Sequence, residues 1–272
     1  MEISIKPKKG LASIDFRELW RYRELFYFLS LRDIKLRYKQ TILGIGWAVL
    51  QPFLTMAVFS VFFGNIARVP SDNIPYPIFS FAGLLFWAMF SNSLSNASQS
   101  LVSSVNIIQK VYLPRIILPI SSIIVTLIDF FFSFLIFLVI IAYYHFLPHF
   151  LGLFALLPLM MVTVVAASGL GLFLSALNVK YRDVRYALPF FIQLLLFVTP
   201  IIYPVSIVPK SYQWILALNP MTGVIETFKA VFLLNAPINW TMLGMSAISS
   251  IIFFMFGVWY FTKTEAYFAD II

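Results

Sequence analysis

Residues 42–63 read ILGIGWAVLQPFLTMAVFSVFF, 22 residues without a charge. A helix rising ~1.5 Å per residue carries this stretch across a hydrocarbon core ~30 Å thick. Directly before it stand Arg32, Lys35, Arg37 and Lys39, the end of the most basic region of the chain. Basic residues followed by an apolar span hold the N-terminus on the cytoplasmic side, and every later segment inherits that orientation. Signal peptides also run from basic to apolar, but with a shorter apolar core and without a basic region of this length.

Composition agrees with that reading. Of 272 residues, 61% are hydrophobic and 11% charged, and the mean hydropathy is +0.92. Soluble domains carry ~25% charged residues, so this is an integral membrane protein. Cysteine is absent, which excludes disulfides, thiolate metal sites and cysteine nucleophiles. The two histidines, His145 and His149, flank Pro148 with no further ligands nearby, so a wet loop is expected there and no metal site. The net charge of +8 is concentrated beside a membrane span, where lipid head groups and not nucleic acid are the natural partners.

Residues 1–12 read as a loose polar tail. Asp15 and Glu18 resemble a helix start. The following RELWRYRELFYFLS sets Arg17, Arg21 and Arg23 against Leu19, Trp20, Tyr22, Leu25, Phe26 and Leu29. This pattern fits a helix lying in the interface plane or packed on a soluble partner. Ser30 and Asp33 are placed to cap a second short helix reaching Tyr38. Six apolar segments then follow, at 42–63 and about 77–101, 116–144, 153–177, 187–202 and 243–261. Pro52 interrupts the first, which is tolerated where a neighbour satisfies the freed carbonyl. The second ends in SNSLSNASQS, side chains suited either to close helix packing or to a wet path. The third is long enough to tilt or to project from the bilayer.

Six spans with the N-terminus inside put sixteen of the nineteen Lys and Arg on the cytoplasmic side and leave Arg68, Lys210 and Lys229 outside. That asymmetry supports the topology. Between the last two spans, residues 206–240 are too apolar for a free loop, and Asn219-Pro220 and Gly223 break them. Two half-helices, about 212–218 and 222–233, re-enter from the outer face or lie on the surface as a hairpin. The expected fold is all-α: six transmembrane helices, an N-terminal amphipathic interface helix and two short re-entrant helices. The expected divisions are 1–41 (cytoplasmic tail and interface helices), 42–263 (membrane domain, with its re-entrant segment at about 205–236) and 264–272 (cytoplasmic tail).

Catalytic signatures are missing. There is no GxxxxGK[ST] loop, serine elbow, HExxH or carboxylate cluster, so no catalytic residue is assigned and energy for any active process comes from a partner or an ion gradient. Asp129 is the only acid near the middle of an apolar segment and is a functional candidate by position. A proton relay would want a second titratable group at its depth, so a hydrogen-bonded structural role is the stronger expectation. Among the many aromatics, Trp47, Phe53, Phe59, Phe86, Trp87, Phe190, Phe197 and Tyr203 are candidates to line a path on which sugar rings stack, although packing explains any one of them equally simply.

Four segments, RYKQTILGIGWAVLQP (37–52), VYLPRIILP (111–119), LNVKYRDVRY (177–186) and LNPMTGVIE (218–226), resemble type-2 ABC exporter permeases, closest to those exporting O-antigen, capsule or teichoic acid. The resemblance runs from about residue 14 to 265. It implies a homodimer joined to two separate ATPase subunits, which carry the ATP and magnesium, so that this chain binds no cofactor or metal. It implies that Ser104, Val105, Asn106, Ile107, Ile108, Gln109, Lys110, Val111, Tyr112, Leu113, Pro114 and Arg115 form the coupling segment that docks into the ATPase. Lys180, Tyr181, Arg182, Asp183 and Arg185 would form a second loop on that side. Asn219, Pro220, Gly223 and Glu226 would belong to an outer gate, and a lipid-linked glycan would pass between subunits in a bacterial cytoplasmic membrane, with both termini inside. Two other readings are open: an exporter permease for a drug or small lipid, and a membrane-bound lipid-modifying enzyme.

Overall fold

A computed structural model describes residues 16–39, 44, 46–149, 152–265 and 268. The expected N-terminal tail, the Asp15 cap, the opening Ile42-Leu43 of the first apolar stretch and nearly all of the C-terminal tail lie outside the described residues. Within them the chain is helical and has no strand. In order come α1 (Phe16–Arg21), α2 (Arg23–Tyr38), α3 (Gly46–Phe59, continued by a π-helical Ser60–Ile66), α4 (Tyr76–Ser103), α5 (Val105–Ile108), α6 (Ile117–Tyr143), α7 (Leu153–Lys180), α8 (Val184–Val198), α9 (Lys210–Ala217), α10 (Pro220–Phe228, continued by a π-helical Lys229–Leu234) and α11 (Trp240–Thr264).

The N-terminal helices differ from expectation. The break falls at Tyr22, and α2 runs unbroken through Ser30. Ser30 Oγ bonds back to Phe26 O, and Asp33 takes Arg32, so neither serves as a cap. A serine inside a helix can return its hydroxyl to the carbonyl one turn earlier without ending the helix. One side of α2 packs along α6 and buries Leu29 and Ser30, while Tyr27, Phe28 and Leu36 stay exposed.

The centre of the bundle is α4, buried along most of its 28 residues, with α6 and α7 beside it and α11 against α7. Three of the serines in its second half, Ser93, Ser98 and Ser100, settle into packing. Ser93 Oγ and Thr126 Oγ1 are 2.6 Å apart, Ser98 and Ser100 are buried, and Asn178 Nδ2 donates to Ser98 O. Asn96, Gln99, Ser100 and Ser103 border a recess beneath α2. Glycines bring α7 and α11 together: a Cβ on Gly257 would lie 1.9 Å from Gly169 O. Without lipid-excluding pressure between helices, such close backbone approach is what joins them.

In α3, Pro52 cannot donate to Ala48 O one turn back. Ser133 Oγ of α6 donates to that oxygen at 3.1 Å, which is the rescue that a proline in a membrane helix needs.

Among the described residues, five helices are long and apolar enough to cross a membrane: α3 with its π-helical extension, α4, α6, α7 and α11. With 15 residues α8 is shorter than the usual ~20. Its neighbours show it running back along α4 toward the opposite end of the bundle. The chain leaves α7 with Asn178 bonded to Ser98, and after α8 it packs Ile201 on Gly83 while Tyr76 Oη donates to Ile202 O. Ser98 to Gly83 is about 22 Å of α4 at ~1.5 Å per residue. The result is a multi-pass membrane protein in which the short helix is extended by the turn at Thr199–Tyr203.

The segment between α8 and α11 splits unevenly. α9 and α10 meet at 108°, with Asn219 Oδ1 accepting from Met221 N at the bend. Nearly all of α10 is buried, its Gly223 N–H donating to Ser246 Oγ of α11, whereas α9 keeps Tyr212, Trp214 and Ile215 exposed. Only the second half-helix is taken inside the bundle. Phe228 and Phe232 of this segment stack at 5.1 Å and join Phe86, Phe130, Phe134 and Phe137 in one aromatic core.

Candidate functional site

The bundle has two unlike ends. At the end where α4 finishes lie α2, Lys110, Arg115, Lys180, Arg182, Arg185 and Lys263; at the other lie Arg68, Lys210 and Lys229. The sequence candidates of the basic end form two neighbouring segments.

The first, from Ser104 to Arg115, contains the single turn α5 and then an extended stretch. It is two-faced. Asn106, Gln109, Lys110, Val111 (52% exposed) and Tyr112 (73%) face outward, while Ser104, Leu113 (5%) and Pro114 are buried and Val105, Ile107 and Ile108 are half-buried. Arg115 turns back into the chain. Its guanidinium bonds Glu265 O, its backbone N–H lies 3.3 Å from Glu265 Oε1, and it stands over the Phe268 ring. The loop is therefore tied to the end of α11, a link across 150 residues for which the sequence carries no local signal. Leu113 and Arg115 hold the segment in place, and Val111 and Tyr112 are what it presents.

The second segment is the turn from α7 to α8. Lys180, Tyr181, Arg182, Asp183, Arg185 and Tyr186 are all exposed, with Lys180 Nζ 5.1 Å from the Tyr181 ring centre. The fold brings this turn against the first segment. A recess of about 490 Å³ between them is lined by Val102 and Val105 on one side and by Asn178, Val179, Arg182, Arg185 and Tyr186 on the other.

Asp129 is engaged from α2. Tyr38 Oη donates to its Oδ1, and Arg37 Nη2 lies 2.8 Å from its Oδ2 in an ion pair without the directionality of a hydrogen bond. Burial and the adjacent carboxylate raise the Tyr38 phenol above its ordinary value, which keeps it a donor. Neighbouring helices fix its level in the bundle. Ser133 is level with the first turn of α3, and Asp129 is one turn, about 6 Å, nearer the basic end. α6 extends past the start of α3 at that end, so the acid is level with the beginning of α3, while the Ser93–Thr126 contact sets it beside the middle of α4. The geometry is that of a tie between α2 and α6.

At the far end, Asn219, Pro220, Gly223 and Glu226 all lie on α10 or its cap. Asn219 Nδ2 also donates to Thr199 Oγ1 at 2.8 Å. Glu226 is half-buried; it accepts from the Val205 backbone, and its Oε1, itself out of contact with solvent, has no hydrogen-bond partner among the described residues. Sequence reading passed over Lys229 as an external-loop charge, yet it is buried, with Nζ donating to Pro200 O at 2.8 Å and standing 3.5 Å from the centre of the Phe79 ring. Its spacing of three from Glu226 on one helix was the available signal.

The aromatic candidates divide by burial. Phe59, Phe86 and Trp87 are buried within the chain, their rings against Phe63, against Phe130 and Phe228, and against Phe90. They present no surface to a path, because the ring packing that makes the core occupies them. Trp47 and Phe53 on α3 and Phe190 and Phe197 on α8 are exposed. Tyr203 is half-buried and donates to Val198 O.

Residues 24–233 match the model of the ABC-2 type transporter family. Among similar curated proteins, the O-antigen export system permease protein RfbA of Myxococcus xanthus is 34% identical over 79% of this chain and 83% of its own. The protein of the same name from Klebsiella pneumoniae is 26% identical over 92% of this chain and 95% of its own. The polysialic acid transport protein KpsM of Escherichia coli is 29% identical over 73% and 77%.

Proposed function

Since the chain belongs to the ABC-2 type transporter family, we propose that it is the membrane permease subunit of an ATP-driven exporter, moving a lipid-linked polysaccharide across the bacterial cytoplasmic membrane. The polysaccharide reading follows the names of its relatives. The need for a separate ATPase follows from a sequence without a phosphate-cradling Gly-Lys loop. Two copies bind two ATPase subunits, and the basic end faces the cytoplasm, as the excess of Lys and Arg there favours. With α8 counted as a pass, six passes return both termini to that side. The chain itself carries no cofactor.

The observation that bears most weight is the two-faced segment 104–115. Its buried Leu113 and its Arg115–Glu265 tie make it a rigid extension of α4, α6 and α11, and Val111 and Tyr112 project from it. A rigid projection passes motion from a closing ATPase dimer to the helices behind it. The work comes from the different affinity of ATP for the two states. Between two copies, the exposed faces of α3 and α8, with Trp47, Phe53, Phe190 and Phe197, supply the aromatic surface along which a glycan slides.

The test replaces Val111 and Tyr112 with Asp in proteoliposomes holding the permease and its ATPase. Leu113 is left alone because it is core. ATP-dependent glycan export should fall at least tenfold while the permease stays folded and dimeric. Unchanged export, or export by the permease alone on a pH gradient, refutes the reading.

A further inference from the structure

The recess at the basic end differs in kind from the projecting segment beside it. It is concave, about 490 Å³, and Arg182 and Arg185 both line it. Neither guanidinium has an ion-pair or hydrogen-bond partner among the described residues. The acid nearest in sequence, Asp183, is exposed on the turn and does not line the recess. Val102, Val105 and Val179 supply its apolar lining, and Asn178 is held by its bond to Ser98 O. Two unneutralised guanidinium forks beside an apolar lining fit one chemistry well: a carboxylate carried on a short apolar stem, taken by planar, charge-assisted hydrogen bonds.

We propose that this recess is a socket for an Asp or Glu side chain of the ATPase, so that the permease receives an element of its partner as well as inserting one. This rests on the exporter reading given above. The socket has a mechanical consequence. One wall belongs to the α4–α5 junction and the other to the α7–α8 turn. A carboxylate bridging both arginines against the first wall fixes the spacing between the ends of α4 and α8. α8 then follows the ATPase together with α4 instead of moving alone. The partner is chosen by charge: the turn carries Lys180, Arg182 and Arg185 against one Asp, and opposite charge across an interface favours encounter and correct register.

The experiment uses the full-length permease in lipid nanodiscs, titrated with its ATPase subunit at low and at physiological salt. Arg182→Glu and Arg185→Glu should each weaken binding about tenfold and flatten its salt dependence, with Arg182→Lys intermediate because charge is kept but the fork is lost. Wild-type affinity in both charge reversals overturns the socket. If the Val111→Asp/Tyr112→Asp variant loses binding in that same experiment, the exporter reading stands without it; if that variant also binds normally, both fall. Should a reversal fold poorly, suppressor selection decides. Export by Arg182→Glu should be restored by an Asp or Glu of the ATPase changed to Lys or Arg, and suppressors confined to other kinds of change overturn the proposal.

Discussion

Replacing Gly257 by Ala should separate α7 from α11. A Cβ there would lie 1.9 Å from Gly169 O, 2.7 Å from its carbonyl carbon and 3.0 Å from its Cα. Carbon and oxygen approach to ~3.3 Å at closest even in favourable C–H···O contacts, so the two backbones must part by about 1.4 Å. No rotamer absorbs this, because every atom met is backbone. Separation also loosens the contacts of Phe173 with Phe256 and Tyr260, whose ring centres are 5.1 and 5.0 Å away. Overpacking of this sort costs about 1–3 kcal/mol, and the gain in helix propensity from Gly to Ala returns at most ~1. A net loss of about 1–2 kcal/mol lowers Tm by roughly 2–8 °C for a chain of this size. Gly244→Ala in the same helix is the control, since its Cβ would meet nothing within 4 Å, and it should be neutral or slightly stabilising. Thermal unfolding of both variants in one detergent, followed by fluorescence-detected size exclusion, reads the difference. A Gly257→Ala protein as stable as Gly244→Ala would refute the idea that bare backbone contact joins these helices.

Two further expectations concern α3 and α2. Ser133→Ala should cost about 1 kcal/mol by stranding Ala48 O, and Pro52→Ala, which restores the missing N–H, should remove most of that cost, so a thermal-stability cycle on the pair should be clearly non-additive. Asp129→Asn and Arg37→Gln should each loosen α2 from α6, and their double variant should lose less than the sum by about 1 kcal/mol, read from the same unfolding assay; strict additivity would mean that the ion pair is incidental.

Much of the fold was legible because membrane segments announce themselves by length and lack of charge. The stretch 42–63 sufficed to set orientation expectations, and the Lys and Arg asymmetry supported them without any contact being known. Individual site residues were less legible. Whether a Phe lines a path or fills a core depends on which way its helix is turned, and the stretches around Phe86 in α4 and Phe53 in α3 are both apolar without a clear stripe, so the two look alike in sequence and differ in burial. The Arg115–Glu265 tie joins residues 150 positions apart. Ser30 and Asp33 misled for a local reason: hydroxyl and carboxylate side chains that cap helices also serve inside them when another donor or acceptor is near.

Asp129 makes the same point about depth. Counted along its own helix it is central, twelve residues from Ile117, about 18 Å at ~1.5 Å per residue. Helices in one bundle need not begin at a common level, however, so the same acid lies beside the middle of α4 and beside the start of α3. The bond from Ser133 to Ala48 places α3's first turn just above Asp129, and the arginine that meets the acid belongs to the segment leading into that turn. The long third apolar segment is long because its first half serves as the seat for α2. An acid at that seat needs a cation that α2 can reach, and Arg37, two residues before the end of the basic run, is placed to supply it. The charge inside the third segment and the basic approach to the first are thus two halves of one contact.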